Sequence, residues 1–278
     1  MFQGRNLLIA TKHQKETVIA PIVEQNLGVY CFTSDVFDTD CLGTFSGEIE
    51  RKDDALTTLR LKCIEANRLT NCDLIIASEG SFGAHPSIFF ANADEELLMI
   101  KDFKNDLEIV TREISLDTNF NAKKISSKSD LLDFAQKTKF PSHALIIKSS
   151  EKKFKKIVKG ITSEKKLFEN FEMLITEFGC VYVETDMQAM FNPTRMKVIE
   201  LATHNLLIKV NKKCPNCNTP GFDILKANDG LPCKNCCFPT RSTLSYTYQC
   251  KKCYHQEEEF YPRKIKWEEP TYCDNCNP

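Results

Sequence analysis

The sequence contains no long hydrophobic run, little glycine and almost no net charge. None of its apolar stretches approaches the roughly 20 residues that a membrane-spanning helix needs. Its first residues lack the apolar stretch and small-residue cleavage site of a secretory signal. Ten glycines in 278 residues exclude a collagen-like chain, and 42% hydrophobic residues exclude a wholly disordered one. We therefore expect a soluble, cytoplasmic protein that does not bind membranes.

The sequence also lacks the strict fingerprints of several common enzyme classes. It has neither a phosphate-binding P-loop nor the glycine pattern of a dinucleotide-binding turn. Ser81 has a glycine two residues after it but Glu79 two residues before it, so the nucleophile elbow of serine hydrolases is incomplete. These absences disfavour common kinases, Rossmann oxidoreductases and serine hydrolases.

Positive charge is concentrated in the middle of the chain. Residues 121–170 hold 13 lysines against 5 acidic residues and contain no arginine. Arginine, unlike lysine, binds a phosphate through a planar fork of donors. The segment therefore favours a solvated surface, and a nucleic-acid footprint is the weaker interpretation.

Eight cysteines near the end of the chain form four Cys-x-x-Cys pairs. The pairs are Cys214/Cys217, Cys233/Cys236, Cys250/Cys253 and Cys273/Cys276. One such turn directs two thiolates at a metal ion, and zinc needs two turns to complete a tetrahedron of sulfurs. The sequence predicts a double zinc ribbon over residues 212–278 that holds two structural zinc ions. Pairing in sequence order gives normal ribbon spacings, and interleaved pairing is also compatible with the sequence.

A structural zinc module of this size implies folding before it implies function, because the metal replaces a core that so few residues cannot bury. Aromatic residues between the cysteines, such as Tyr254 and Trp267, are available for stacking on nucleic acid. Acidic residues at 257–259 lie among them. We expect a structural or docking role for this module ahead of nucleic-acid binding. For the whole protein, a non-catalytic zinc-ribbon adaptor that binds RNA or protein is the alternative to an enzyme or nucleotide-binding protein.

The first 211 residues alternate strand and helix patterns and predict an α/β domain with a mixed sheet. Strands are predicted at 6–11, 28–33, 73–77, 144–149, 154–160 and 180–184, and a β-hairpin at 96–102 and 107–116. Helices are predicted at 14–26, 53–69 and 164–178. One more helix is predicted to end at about 137, and another to begin at 192. Residues 119–129 are predicted to form a loop.

Three predicted loops at strand ends are rich in glycine, hydroxyl and carboxylate groups, which makes them candidates for a functional site. They cover 38–51, 78–86 and 184–196. The candidate catalytic residues are Asp38, Asp40, Glu48, Glu79, His85 and Asp186, and the candidate ligand-binding residues are Ser46, Ser81, Thr194 and Arg195. Thr194 and Arg195 follow Asn192 and Pro193 at a predicted helix start, where free N–H groups attract anions. For each loop taken singly, turns whose polar residues satisfy the backbone are at least as good an explanation.

Nearly the whole chain resembles a mainly bacterial family of domains of unknown function with a C-terminal cysteine-rich zinc ribbon. The resemblance rests on the stretches ATKH (10–13), DTDCLGTFSGEIER (38–51), ASEGSFGAHP (77–86), FPSHALIIK (140–148), KGI (159–161), ETDMQAMFNPTRM (184–196), PGF (220–222), GLPCKNC (230–236) and CNP (276–278). It implies one recurrent architecture and no particular activity. Cys237 stands where this family is expected to have glycine.

Residues 5–115 also resemble the inosine/xanthosine triphosphate pyrophosphatase superfamily, through ATKHQKE (10–16) and ASEGSFG (77–83). The resemblance implies that Lys15 contacts phosphates, that Glu79 carries Mg²⁺, and that Arg60 or Lys62 neutralises the leaving pyrophosphate. His13 stands in place of the superfamily's asparagine, and Ser78 in place of an acidic residue.

These patterns together predict a metal-dependent phosphohydrolase or nucleotide-binding protein. The expected partner is a small phosphorylated molecule or nucleotide, and Mg²⁺ is the expected second metal beside zinc. Because open α/β sheets bind ligands beyond the carboxyl ends of their strands, the three loops are expected to converge on one cleft.

Overall fold

A computed structural model describes residues 1–36 and 53–278 of the chain. The contacts divide it into two compact units, Met1–Leu206 and Leu207–Pro278; the sequence placed the boundary between residues 211 and 212. The fold class is confirmed: a mixed α/β fold is followed by two groups of four cysteines, consistent with a double zinc ribbon. Within the described ranges, no helix has the length and apolar character needed to cross a membrane.

The first sheet of the larger unit has five strands and mixed direction. The strands are β1 (Asn6–Ala10), β2 (Tyr30–Phe32), β3 (Leu74–Ala84), β4 (Asn92–Asp102) and β5 (Leu107–Ser115), in the order β2-β1-β3-β4-β5. β1 is parallel to β2 and β3, whereas β3–β4 and β4–β5 are antiparallel. Parallel strands need long connections between them, and here these contain helices α1 (Glu16–Leu27) and α2 (Ala55–Thr70).

Apolar residues on β1, β3 and β4 build the core on the α2 side of this sheet. Leu8, Ile75 and Met99 pack there against Leu59 and Cys63 of α2. The helix begins at a strong cap, since the Asp54 carboxylate accepts hydrogen bonds from the N–H groups of Leu56 and Thr57. The sequence pattern places both helices to within two residues at each end. α2 begins at this cap, whereas α1 has no side-chain cap at its start and ends at the left-handed Gly28.

Strand β3 is longer than the sequence pattern indicates. The polar residues after Ala77 predict a loop over 78–86, but the strand continues to Ala84 because each of its residues pairs with β4. The prediction was wrong because polar residues usually end a buried strand. Here Ser78 and Glu79 are buried and have charged or polar partners.

The second sheet contains four antiparallel strands. They are β6 (Ala122–Ile125), β7 (Leu145–Lys148), β8 (Ile157–Ile161) and β9 (Val181–Thr185), in the order β6-β9-β7-β8. Apolar residues on one face pack with α3 (Lys128–Lys137) and α4 (Glu164–Phe178), which begin at the serine caps Ser127 and Ser163. The predicted loop at 119–129 thus contains a strand. Helix α5 (Pro193–Asn211) follows β9.

The C-terminal unit contains one antiparallel sheet of three strands. They are β10 (Asp223–Asp229), β11 (Thr243–Gln249) and β12 (Gln256–Phe260), with β11 in the centre. Its small core consists of Phe222 packed with Cys214, Cys250 and the ring of Tyr248. Most residues of β10 and β12 are exposed, so hydrophobic burial contributes little to the stability of this unit.

Candidate functional site

An unusual turn follows the carboxyl end of strand β1. His13 and Gln14, between β1 and α1, have φ angles of 65° and 61°. Each costs roughly 1–2 kcal/mol, because the left-handed region crowds the Cβ of an L-residue. Strain of this kind is found preferentially at functional sites. The turn delivers Lys15, which directly precedes α1, to Ser78 in the middle of β3.

A buried charged cluster surrounds Lys15. Its Nζ donates to Ser78 Oγ at 3.0 Å and lies 3.9 Å from Glu96 Oε2. Arg195, at the start of α5, places Nε 2.5 Å from Glu96 Oε1 and donates through Nη1 to the Met187 carbonyl. Glu96 and Arg195 are fully buried. Ion pairs buried this deeply are costly to desolvate, so they are weak evidence for a stabilising role.

Gly80 allows Arg195 and Glu96 to meet over β3. It pairs with Glu96 across the β3–β4 ladder. A Cβ added at this position would lie 2.5 Å from Glu96 Oε1, well inside van der Waals contact. Two residues further along the same face, the Phe82 ring lies 5.0 Å from the guanidinium carbon of Arg195. The absent side chain at position 80 is therefore a condition for this ion pair.

Asp94 is a further acidic residue of this cluster. It is two residues from Glu96 on β4, so both side chains point to the same face of the sheet. Asp94 is fully buried, and neither of its carboxylate oxygens has a hydrogen-bond partner among the described residues. Within the same described set, Glu96 Oε2 also lacks a hydrogen bond. Buried polar groups are nearly always hydrogen-bonded, so these three oxygens need an explanation.

Burial and neighbouring charges change the protonation of this cluster. Burial, reinforced by Glu96, raises the pKa of Asp94 to about 8. Burial, reinforced by the charge of Arg195 and opposed by Glu96, lowers the pKa of Lys15 to about 7. For Glu96, burial favours the neutral acid, but Arg195 and Lys15 outweigh burial and lower its pKa. Perturbations of this kind concentrate at functional sites.

Glu79 lies on the opposite face of β3 from Gly80, since side chains alternate along a strand. Its Oε1 is 2.5 Å from Nζ of Lys62, which comes from α2 and also donates to the Ser78 carbonyl at 3.1 Å. Arg60 of the same helix is largely exposed and pairs with Glu108 at 2.8 Å. Of the two cations that the superfamily resemblance offered, Lys62 is therefore the one beside the cluster.

The start of α5 is filled by protein groups. Asn192 Oδ1 accepts the N–H of Arg195 at 3.0 Å, and His143 Nε2 accepts the N–H of Thr194 at 3.3 Å. Thr194 Oγ1 also lies 2.9 Å from His143 Nε2 and accepts from Lys139 Nζ at 3.2 Å. Burial and the charge of Lys139 lower the pKa of His143, which fits a neutral ring accepting at Nε2. The first turn thus binds a histidine in the place where an anion was expected.

The other sequence candidates occupy different positions. The Asp186 carboxylate accepts from the N–H groups of Gly160 and Gln188 at 2.9 and 3.0 Å, and burial raises its pKa. His85 lies at the far end of β3, where Nδ1 accepts from the N–H groups of Ser87 and Ile88. Ser81 is half-buried on β3. The candidates Asp38, Asp40, Ser46 and Glu48 lie outside the described residues.

The structure brings Lys15 and Arg195 together beside Ser78, the residue that precedes Glu79. It also adds two residues that the sequence analysis did not identify, Asp94 and Glu96. Asp94 and Glu96 are separated by Glu95 and precede the apolar run 97–100 of β4. Two acids at positions i and i+2 of a buried strand point to one face, which is a pattern that could have identified them. His85 lies roughly 20 Å from Glu79 along β3, at about 3.3 Å per residue.

Eight cysteines of the C-terminal unit form two groups of four with the geometry of metal sites. The groups are Cys214, Cys217, Cys250, Cys253 and Cys233, Cys236, Cys273, Cys276. The pairing is therefore interleaved. Sulfur–sulfur distances between the two turns are 3.6 Å in the first group and 3.6 and 3.9 Å in the second. They match the roughly 3.8 Å edge of a ZnS₄ tetrahedron.

A common turn presents the first three cysteine pairs. The residue after each pair, Asn218, Cys237 or Tyr254, has a positive φ of 59°, 60° or 58°. Its N–H donates to the carbonyl of the first cysteine at 2.9 to 3.0 Å. The unexpected Cys237 therefore stands where left-handed backbone favours glycine. Cys237 is exposed and belongs to neither group.

Second-sphere contacts around the sulfurs repeat between the two groups. Asn216 Nδ2 donates to Cys253 Sγ at 3.6 Å, and Asn235 Nδ2 donates to Cys276 Sγ at 3.5 Å. A hydrogen bond with Thr219 lowers the pKa of Cys217 to about 6, and the N–H of Phe238 does the same for Cys236. Donors of this kind stabilise thiolates, the form in which cysteine binds metal.

Comparison with known proteins supplies one match. The sequence model of a family described as a domain of unknown function (DUF6671) matches residues 62–278. The match includes Lys62, the β3–β4 hairpin, Arg195 and all eight cysteines of the two groups. No curated protein and no solved structure matches the chain.

Proposed function

This chain belongs to the DUF6671 family of domains of unknown function, and from that premise we propose that it is a metal-dependent phosphohydrolase or nucleotide-binding protein. Its ligand is a small phosphorylated molecule or nucleotide. The binding site lies beyond the carboxyl end of β1 and beside Ser78 and Gly80 of β3, around Lys15, Lys62 and Arg195.

The observation that carries this proposal is the strained turn that inserts Lys15 beside Ser78 and Glu96. A lysine that served stability alone would gain little from burial, because desolvation opposes its charge. A phosphate oxygen supplies negative charge that the cluster's three cations can share. The superfamily resemblance assigns phosphate contact to the same lysine.

Residues on the two faces of β3 have different roles in the proposed reaction. Lys15 would contact a phosphate group, and Glu96 would remain ionised because Arg195 is bound to it. Lys62, held between Glu79 and the Ser78 carbonyl, would add positive charge near the leaving group. Mg²⁺, when bound, polarises phosphate oxygens for attack by water.

A ligand-binding experiment on the full chain tests the proposal. Zinc-loaded protein is screened by thermal shift against inorganic phosphate, pyrophosphate and nucleoside triphosphates, with and without Mg²⁺, because a ligand raises the melting temperature of the state it binds. We expect stabilisation by at least one of these anions and at least about tenfold weaker binding in Lys15→Ala, which is roughly 1.4 kcal/mol.

Lys152→Ala serves as the matched control, since Lys152 is an exposed lysine of the same unit. Its ligand response is expected to equal that of the wild type. Release of inorganic phosphate then separates a hydrolase from a binding protein. If no phosphorylated compound stabilises the wild type, or if both lysine variants respond alike, the proposal fails.

We further propose that each group of four cysteines holds one structural zinc ion. Tetrahedral sulfur ligation with thiolate-stabilising donors is the preferred environment of Zn²⁺. Cysteines held as ligands in this way also favour the reducing cytoplasm over an oxidising compartment. Metal analysis of protein purified without chelator is expected to give two zinc ions per chain; one or none would contradict this assignment.

A second candidate function is a non-catalytic adaptor in which the zinc module binds RNA or another protein. The observation that favours it is the exposure of several aromatic rings on the C-terminal unit: Phe238, Tyr254, Trp267 and Tyr272 are all more than half exposed. Exposed rings stack readily on unpaired bases. RNA affinity that falls steeply with salt, without nucleotide turnover, would favour this function.

A further inference from the structure

We propose that Asp94 and Glu96 form a divalent-cation site on the Arg195 side of β3 and β4. The cation is a hard one such as Mg²⁺ or Mn²⁺, bound by carboxylate oxygens. The inference rests on the proposed function for the cation's role, which is to bridge the carboxylates to phosphate oxygens. It places the metal on the opposite face of the sheet from Glu79, the ligand expected from sequence.

Unpartnered oxygens are the first argument. Both oxygens of Asp94 and Oε2 of Glu96 have no hydrogen bond among the described residues, although both side chains are fully buried. A buried acceptor without a donor destabilises the fold by the full free energy of its desolvation, which is roughly 1–3 kcal/mol, and more for a charged group. Three such oxygens from two carboxylates on one strand face are a donor set that hard cations prefer.

The ion-pair partner of Glu79 explains why we place the cation on the Arg195 face of the sheet and not on the Glu79 face. Glu79 is held by Lys62 at 2.5 Å, so binding a metal there would break an ion pair. Glu96 also has a cation partner, but Arg195 engages Oε1 and leaves Oε2 with Lys15 at 3.9 Å. A cation can therefore bind Oε2 and Asp94 while Arg195 keeps Glu96 in place.

The small number of protein ligands selects among hard cations. No third carboxylate, histidine or cysteine in the described part of the chain completes a close set with this pair. Mg²⁺ is commonly bound through one or two carboxylates together with waters and substrate phosphates, whereas Ca²⁺ takes six to eight oxygens. The site thus fits Mg²⁺ or Mn²⁺ with open positions for phosphate, and Lys15 lies beside it.

Titration with Mn²⁺ alone tests the site on zinc-loaded full-length protein. Electron paramagnetic resonance of free Mn²⁺ and calorimetry are expected to show one bound ion per chain, displaced by excess Mg²⁺. Asp94→Asn is expected to weaken binding at least about tenfold, because an amide oxygen replaces a charged ligand. Glu95→Gln is the matched control, since Glu95 points to the other face and pairs with Arg112.

A diffraction experiment on the wild type keeps the test independent of any variant's folding. The anomalous signal of Mn²⁺ in soaked crystals is expected between Asp94 and Glu96. Absence of Mn²⁺ binding, an ion located elsewhere, or equal binding by Asp94→Asn and Glu95→Gln would each overturn the inference. Because the probe is the metal alone, these outcomes are distinct from a failure to bind phosphate compounds.

Discussion

At the scale of single residues, Gly80 has the strictest steric requirement in the cluster. Arg195 and Glu96 occupy the space that its side chain would take, whereas a Cβ at Gly83, three residues along the same strand, meets nothing within 4 Å. The two glycines look alike in the sequence. Only one of them is required by close packing.

The pair gives a controlled stability prediction. Gly80→Ala is expected to reduce the free energy of unfolding by about 2 kcal/mol, because overpacking forces a buried ion pair to move. Gly83→Ala is expected to be neutral or slightly stabilising, since alanine loses less backbone entropy on folding. Urea denaturation of both variants measures the difference. Equal effects would show that Arg195 and Glu96 are not packed against position 80.

Cys237 is a second residue with a specific steric constraint, since its backbone conformation is unfavourable for a residue with a side chain. Its φ of 60° costs L-residues about 1–2 kcal/mol. Cys237→Gly is expected to stabilise the C-terminal unit by up to about 1 kcal/mol, less than the full strain because glycine also loses more entropy on folding. Cys237→Ala keeps the strain and is the control.

Competition with a chelator measures this effect, since zinc affinity includes the folding free energy of the module. Up to about fivefold tighter zinc binding is expected for Cys237→Gly, and no change for Cys237→Ala. Loss of one zinc ion in both variants would instead make Cys237 a ligand.

At the scale of elements, the start of α5 depends on a neutral histidine. His143 Nε2 accepts the N–H of Thr194, and Nδ1 lies 3.0 Å from Ser142 Oγ. Protonation would turn the accepting nitrogen into a donor facing another donor. The helix cap is therefore sensitive to acid.

A pH dependence of stability follows from the lowered pKa of His143. A group with a lower pKa in the folded state contributes stability above its unfolded pKa, roughly 6.5, and loses it as the pH falls through the folded value. Urea denaturation is expected to show lower stability at pH 5 than at pH 7.5. His143→Gln, which keeps an acceptor that does not titrate, is expected to reduce this difference. An unchanged pH profile in the variant would remove His143 as the cause.

At the scale of the whole molecule, the two units have different sources of stability. The larger unit buries apolar residues on both of its sheets, whereas the C-terminal unit has a small core around Phe222 and two groups of cysteines. Metal removal should therefore affect the second unit selectively.

Cys214→Ser tests both this independence and the interleaved pairing. The variant is expected to lose one zinc ion and to unfold the part of the C-terminal unit around that site, while the second zinc site is kept and residues 1–206 resist proteolysis. Brief alkylation followed by mass spectrometry should label Cys217, Cys250 and Cys253 first, since they share the site of Cys214. Early labelling of Cys233 and Cys236 would indicate pairing in sequence order.

The sequence by itself determined the elements and chemistry that depend on local patterns. Four Cys-x-x-Cys turns indicated two metal sites because each turn fixes its own pair of thiolates. Apolar periodicity and caps placed most helices and strands, as at Asp54 and Ser163. Lys15 and Arg195 were also named as candidates from sequence.

Tertiary structure decided whatever depends on pairing between distant segments. Interleaving of the cysteine pairs follows from the fold of the module, since either arrangement satisfies the spacing. The length of β3 follows from its pairing with β4. Ser78 and Glu79 are therefore strand residues whose side chains point to opposite faces of the sheet. The same ladder aligns Asp94 and Glu96 with Phe82 and Gly80. The fold also brings the guanidinium of Arg195, from α5, against Glu96, 99 residues earlier in the chain. No local pattern encodes such a contact, because it exists only once the sheet has formed.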